Sequence, residues 1–360
     1  IQAFRIATSR RSRLVMSGIA ALTIAVPITY SLSRYNNYIE VINPSNVVVV
    51  QPNIDPYKKL GLIPTMEQVN TLTSLADSAA KPNTEFFIFP ETAIPNYADE
   101  DQLRTNPEFL AIQQFLAKYA NGTVITGMET KSWYSSEATL SARYIPEFKA
   151  YIDNFNSAVQ IENSAQVSTY HKSKLVPGVE KMPFPKVFAF LKPVFAQLGG
   201  SVGGWGWQAE PEVFYAQSGI GTVPVICYES LWGDWIGRAV TEGAQFITII
   251  TNDGWWGNTS GKDQHLLYAR LRAIEMRRYV VRSANTGISA FIDQRGDITK
   301  KTAWWTRTAL NGNINLNSDL TAYARNGDVI AKVASLGSLA FMIFLLIRIW
   351  IPRRKTSPQS

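Results

Sequence analysis

Short apolar runs recur along the middle of the chain, bounded by polar or turn-forming residues: 47–50 (VVVV), 86–89 (FFIF), 124–126, 157–161, 223–226, 246–250 and 288–292. Apolar runs of this length read as buried strands. Between them, residues 65–80 and 264–281 carry apolar side chains near a 3.6-residue period and read as helices. In the second, Leu267, Leu271, Ile274 and Met276 are set against Arg270, Arg272, Arg277 and Arg278. Strands alternating with helices predict an α/β layered domain. No internal repeat or low-complexity stretch interrupts the pattern.

Two longer stretches break the rhythm. Residues 14–33 hold no charge, and neither do residues 333–347, where the apolar character continues past Arg348 to Ile351. A bilayer core needs about 20 mostly apolar helical residues. The first stretch meets that length, and the second does if Arg348 snorkels to the interface. The competing readings are a signal peptide for the first and a buried core helix for the second. No small-residue cleavage site follows the first, and a basic flank follows the second.

Charge agrees with two spans. The net charge is +7, and it is concentrated at the ends: Arg5, Arg10, Arg11 and Arg13 at the start, Arg348, Arg353, Arg354 and Lys355 at the finish. Under the positive-inside rule both ends are cytoplasmic. The expected organisation is a cytoplasmic basic segment (1–13), a transmembrane helix (14–33), an extracytoplasmic domain (46–325), a second transmembrane helix (333–351) and a cytoplasmic tail (352–360). In a bacterium the domain lies on the periplasmic side of the inner membrane. Because topology accounts for the basic residues, nucleic acid is not an expected partner. The chain opens on Ile1 rather than Met and is expected to be a piece of a longer membrane protein.

One cysteine excludes an internal disulfide and a cysteine-rich zinc site, and two histidines leave little for a histidine-built metal centre. No cofactor and no metal are expected, and any catalytic base is a carboxylate or a lysine. The cysteine, Cys227, ends the apolar run 223–226 and is followed by Tyr228 and Glu229. A lone cysteine on an apolar strand is more often a small buried hydrophobe. Its company argues otherwise. In FFIFPETAIP (86–95), Glu91 sits at a strand tip among apolar neighbours, a dry setting that suits a general base. In YHKSKLVPGVE (170–180), Lys172 and Lys174 flank Ser173, and Glu180 follows Pro177. In FITIITNDGWWG (246–257), a buried strand ends at Asn252, followed by Trp255 and Trp256. A Glu–Lys–Cys set divides the labour of acyl transfer. The carboxylate takes the thiol proton. The ammonium lowers the thiol pKa and stabilises a tetrahedral oxyanion, with the Tyr228 N–H as second donor.

Residues 181–207 (KMPFPKVFAFLKPVFAQLGGSVGGWGW) are aromatic, basic, proline-spaced and then glycine-rich. Phe184, Phe188, Trp205 and Trp207 belong either to a core-packed loop or to a mobile arm over the site that dips into the membrane.

FPETAIP, YHKSKLVP, ICYES, NDGWWG and RSANTG, in this order between two apolar spans, resemble the carbon–nitrogen hydrolase (nitrilase) superfamily. They resemble in particular its membrane branch, the apolipoprotein N-acyltransferases. The resemblance implies a nitrilase-like α-β-β-α sandwich flanked by transmembrane helices. It implies transfer of a fatty acyl chain from a membrane phospholipid, through a cysteine thioester, to the N-terminal amine of a diacylglyceryl apolipoprotein. Glu91, Lys172 and Cys227 match the catalytic triad, and Glu229 and Glu180 match supporting carboxylates. Asn252, Trp255 and Trp256 join the arm aromatics as substrate or lid candidates. Where the family pattern reads Pro-Phe-Gly-Glu, this chain has Pro177-Gly178-Val179-Glu180. The family also has several more membrane helices before the domain, where this chain has one. Two rival readings remain: a membrane-tethered amidase or nitrilase with water as acceptor, and an inactive lipoprotein-binding scaffold. The intact Glu–Lys–Cys set argues against the scaffold.

Overall fold

The computed structural model describes residues 9–59, 61–181 and 204–350. The chain divides into two compact units, Ile1–Ile42 and Asn43–Ser360. The first is one helix, α1 (Arg10–Asn37), capped by Ser9, whose hydroxyl accepts from the Ser12 N–H at 3.1 Å. None of its residues is buried. At 28 residues it is about 42 Å long, against about 30 Å of bilayer hydrocarbon.

The second unit holds two sheets. In the first, β1 (Pro44–Gln51), β2 (Thr84–Ile88) and β4 (Thr123–Tyr134) run parallel, with β14 (Thr308–Asn315) antiparallel beside β1. β3 (Ile94–Asp99) pairs with β4, β6 (Ala150–Glu162) continues antiparallel from β4, and β5 (Arg143–Ile145) and β7 (Ser168–His171) pair with β6. In the second sheet, β9 (Gly221–Ile226), β10 (Phe246–Thr251) and β11 (Val280–Ala284) are parallel neighbours, with β8 (Phe214–Tyr215) antiparallel beside β9, and β12 (Ala290–Ile292) and β13 (Ile298–Lys301) continuing antiparallel from β11.

The apolar runs explain the layering, because successive side chains leave a strand on opposite faces. Val48, Val50, Phe87 and Phe89 pack with α3 (Thr65–Ala79) and α4 (Pro107–Leu116). Their sequence neighbours Val47, Val49, Phe86 and Ile88 fill the space between the sheets with Ile226, Phe246 and Ile250. Phe86 and Phe246 meet edge-to-face there at 5.0 Å. Val223, Val225, Ile247 and Ile249 pack outward on α5 (Gly233–Thr241) and α6 (Gly261–Met276). The result is the expected α-β-β-α sandwich.

α6 departs from the expected pattern. The periodicity put Leu267, Leu271 and Ile274 inside, yet these are exposed, and the buried face carries His265, Leu266, Ala269, Arg272, Ala273 and Met276. Small alanines let this face approach the sheet, and Glu275 pairs with Arg272 at 3.1 Å. The helix also ends early. Arg277 adopts a left-handed conformation at φ 50°, and 280–284 then turns into β11 instead of extending the helix. α7 (Ala322–Asn326) leads into α8 (Val329–Trp350), about 33 Å long by its 22 residues. Both α1 and α8 are long and apolar enough to cross a membrane, and their apolar side chains are exposed.

Candidate active site

The ends of β2, β7, β9 and β10 carry the expected chemistry. Glu91 follows β2 and is 5% exposed. Its backbone is held against β4, where the Gly127 N–H donates to the Pro90 carbonyl at 3.1 Å. A Cβ at position 127 would lie 2.4 Å from the Thr92 nitrogen and 2.6 Å from Glu91 Cα, so only glycine fits. Buried Lys59, at the end of the short helix α2 (Pro56–Lys59), fixes the same segment, donating to the Glu91 carbonyl at 2.9 Å and to Thr92 Oγ1 at 2.7 Å.

Lys172 continues β7, its N–H donating to the Asn156 carbonyl of β6 at 2.9 Å. Its ammonium is 1% exposed and donates to Glu91 Oε1 at 3.1 Å and to Glu180 Oε1 at 2.7 Å. Asn156 Nδ2 donates to Glu91 Oε1 as well, at 2.9 Å. Among the described residues no donor reaches Glu91 Oε2. The displaced glycine of the Pro-Gly-Val-Glu turn does not misdirect Glu180. Gly178 takes φ 85°, the Glu180 N–H returns to the Val176 carbonyl at 2.9 Å, and Glu180 Oε2 accepts from the Val176 N–H at 2.8 Å.

Cys227 opens a 3₁₀ turn, Cys227–Leu231, directly after β9. Its φ of 52° lies in the left-handed region, uncommon for a non-glycine residue and a form of strain found at reactive sites. Sharp strand-to-helix turns of this sort expose a nucleophile at the top of a sheet. The thiol interacts with Thr251, which ends the adjacent β10, and feels the charges of Glu91 and Lys172. Tyr228 is partly buried in the first turn, where N–H groups lack partners within the turn. Glu229 is a buckle between two site segments. Its Oε1 accepts from Tyr170 Oη at 2.6 Å and from the N–H groups of Ser173 and Lys174 at 2.6 and 3.1 Å, while Oε2 accepts from the Ile226 N–H at 2.8 Å.

Three residues outside the expected set lock the cysteine from behind. His265 Nε2 lies 3.0 Å from the Cys227 carbonyl and 2.8 Å from Ser230 Oγ. Its Nδ1 is 2.9 Å from Asp253 Oδ1, and Arg282 Nη2 donates to both Asp253 oxygens at 2.9 and 2.8 Å. Asp253 and Arg282 fall inside two of the quoted motifs, and His265 is one of only two histidines. The motifs carry their signal, but a count of two histidines speaks only to metal and triad chemistry, not to a buried support for a neighbouring carbonyl.

Lys172 lowers the thiol pKa, as expected, but does not decide it. Burial and the Glu91 charge outweigh Lys172 and Thr251 and push the Cys227 pKa up to about 12. At neutral pH Cys227 is therefore a neutral thiol. Burial opposes the charge on Lys172, but Glu91 and Glu180 outweigh it and hold its pKa well above the ordinary lysine value. Burial raises Glu229, offset only in part by its donors. Burial also opposes Asp253, but Arg282 and His265 hold it well below the usual carboxylate range. Next to Glu91, burial lowers Lys59 to about 8 and raises Glu129 to about 7.

Asn252 is buried, its Oδ1 accepting from Thr286 Oγ1 at 3.0 Å. Trp255 and Trp256 are exposed; Trp256 meets the His265 ring edge-on at 5.0 Å. Trp205 stacks on Tyr97 at 6.2 Å, and Lys181 lies over Trp207 at 4.1 Å. Phe184 and Phe188 lie outside the described residues. Among the described residues no group of three His, Cys, Asp or Glu is placed to hold a metal ion.

The carbon-nitrogen hydrolase family model matches residues 46–323. The chain belongs to the carbon–nitrogen hydrolase family. Its curated relatives include proteins named apolipoprotein N-acyltransferase from Chlorobaculum tepidum (31% identical, covering 86% of this chain and 59% of the relative), Vibrio parahaemolyticus (26%, 86% and 56%) and Bradyrhizobium diazoefficiens (31%, 93% and 59%). The chain thus spans little more than half the length of these relatives. Among solved structures, this carbon–nitrogen hydrolase resembles Nit3 of Saccharomyces cerevisiae, a member of branch 10 of the nitrilase superfamily, with a TM-score of 0.52 at 15% identity over 76% of this chain and 90% of that one. It also resembles an amidase from Nesterenkonia sp., with a TM-score of 0.51 at 12% identity over 82% and 98%. These likenesses bear out the nitrilase-like fold.

Proposed function

We propose that the chain carries the catalytic part of an apolipoprotein N-acyltransferase, with Cys227 as nucleophile, Glu91 as base and Lys172 as oxyanion donor. The observation that carries the reading is the buried Glu91–Lys172–Glu180 cluster beside a strained, neutral Cys227. In the first step Cys227 Sγ attacks the ester carbonyl of a phospholipid while its proton passes to Glu91. Lys172 and the Tyr228 N–H stabilise the oxyanion. Collapse breaks the ester C–O bond, and the lysophospholipid leaves with the proton from Glu91. In the second step the amine of a diacylglyceryl-cysteine peptide attacks the thioester and gives its proton to Glu91. The thiolate leaves and recovers that proton. Asn156 and Glu180 orient the Glu91–Lys172 pair, and Glu229 keeps the Lys172 segment in register with Cys227.

The two apolar helices support a membrane setting in which both lipid-borne substrates reach the site laterally. In this reading α1 and α8 cross the bacterial inner membrane with basic ends in the cytoplasm, and the sandwich works on the periplasmic side. The test uses the whole chain in phospholipid nanodiscs with a diacylglyceryl-cysteine peptide. Intact mass should show one acyl group on Cys227, absent in Cys227→Ser at neutral hydroxylamine-sensitive linkage, and chase with peptide should yield N-acyl peptide. Release of free fatty acid at the expense of N-acyl peptide identifies a hydrolase instead. Absence of any cysteine-linked acyl group refutes the mechanism.

A further inference from the structure

A cavity of about 540 Å³ lies between α5, α7 and the first residues of α8. Lys174, Arg238, Arg325 and Lys332 line it with Asp234, and Glu210 pairs with Arg238 from outside the lining. Two of the cations are held by aromatic faces. Lys174 Nζ lies 3.9 Å from the Trp235 ring centre and 5.6 Å from that of Trp232, and the Arg238 guanidinium lies 4.6 Å from Trp235. Among the described residues neither Lys174 nor Arg325 forms an ion pair with a carboxylate. Burial and the neighbouring Arg238 push Lys174 below the ordinary lysine pKa, so a cation is held there without full compensation.

We infer that this cavity binds the phosphodiester of a glycerophospholipid headgroup. Crowded cations on tryptophan faces give charge-assisted donors to phosphate oxygens. The position favours a lipid over a soluble anion. Lys332 belongs to the first turn of an apolar helix long enough to span a bilayer, and tryptophan with basic residues is the composition of a headgroup-level interface. A second cavity of about 170 Å³ shares Lys174 and Trp232 with the first and is lined by Tyr228, the residue after the nucleophile. A phosphate held by Lys174 therefore leaves the rest of the lipid beside the cavity that Tyr228 lines. The choice of a donor lipid rests on the acyl-transfer reading, whereas the binding itself does not.

The test uses the whole chain in detergent with Cys227→Ala, which blocks turnover. Tryptophan fluorescence is titrated with dioctanoyl phosphatidylglycerol, with dioctanoylglycerol and with inorganic phosphate. Saturable binding of the phosphodiester lipid is expected, at least about tenfold tighter than the uncharged diglyceride. Lys174→Ala should weaken it about tenfold and the exposed Arg325→Ala about threefold, with thermal unfolding unchanged in Arg325→Ala. Equal binding of the diglyceride, or parental affinity in both variants, overturns the site. Inorganic phosphate binding as tightly as the lipid overturns the lipid assignment and leaves a free-anion site. If the lipid binds as expected but the wild-type chain never acylates Cys227, the acyl-transfer reading fails and the headgroup site stands.

Discussion

Replacing Glu91 with Gln is expected to move two properties of Cys227 in opposite directions. Burial and the Glu91 charge together raise the thiol pKa to about 12, while Lys172 pulls it down. Gln keeps the shape and removes the charge. A like charge nearby typically contributes about 1–3 pKa units, so the thiol should become more acidic by that amount. Lys172 stays buried with Glu180 at 2.7 Å and keeps its charge. Thiolate reactivity falls as its pKa falls, with a Brønsted slope of about 0.5, so roughly half of the shift survives as rate. Alkylation of Glu91→Gln by iodoacetamide at pH 8 should therefore run about 3- to 30-fold faster than wild type. Under the proposed mechanism acyl transfer loses its general base and should fall about 10²- to 10⁴-fold. Both rates are read on one preparation, by intact mass for alkylation and by N-acyl peptide for transfer. The wild-type alkylation rate should also climb about tenfold per pH unit from pH 7 to 10, because the thiol stays below its pKa. Parallel loss of alkylation and transfer in Glu91→Gln would refute the reasoning, since Glu91 would then be holding a resting thiolate. A wild-type plateau near neutral pH would do the same.

Three further outcomes follow from the same contacts. His265→Ala removes the contact at 3.0 Å to the Cys227 carbonyl; it should cut kcat about 10- to 100-fold with KM little changed, and lower stability by about 1–3 kcal/mol in denaturant titration. Gly127→Ala forces a Cβ to within 2.4 Å of Thr92 N, so transfer should drop at least about 100-fold while circular dichroism still reports a folded sandwich. Glu129 has a folded pKa raised from 4.5 to about 7, so its neutral form is favoured in the fold and wild type loses stability as pH rises through that window. Glu129→Gln lacks this loss, and its stability relative to wild type should grow by on the order of 3 kcal/mol between pH 4.5 and 7; a pH-independent difference would count against it.

The layers were legible because most core strands are buried on both faces. A run such as VVVV at 47–50 then needs no alternation, and its two faces enter two different cores. The proposed catalytic set stands out for a related reason: Lys172 and Cys227 directly follow strands and Glu91 comes three residues after one, where the apolar run stops. What stayed hidden depends on contacts that sequence spacing does not carry. Asn156 reaches Glu91 from a strand 65 positions away. The buried face of α6 carries Arg272, and Arg278 and Arg282 are fully enclosed, so a rule that turns arginine outward inverted the helix. β11 was absorbed into that helix because the left-handed Arg277 that separates them leaves no mark such as glycine or proline. His265 was discounted as a catalytic base, and its place behind the Cys227 carbonyl arises from the packing of α6 under β9 and β10.

The neutral thiol and the doubled carboxylates have one explanation. With both carboxylates ionised, Glu91, Glu180 and Lys172 sum to a single negative charge in a buried volume. A free thiolate would make it two, and low dielectric makes that costly. Attack on a carbonyl avoids the cost. The proton neutralises Glu91 as the electron pair moves through sulfur to the carbonyl oxygen beside Lys172, so the net charge of the site is constant and only its position changes. The burial that suppresses a free thiolate is then the burial that strengthens the contact between Lys172 and the oxyanion. Under the proposed reaction this gives the resting enzyme little reactivity towards stray electrophiles. Full nucleophilicity appears only when an ester or thioester carbonyl is seated to receive the charge.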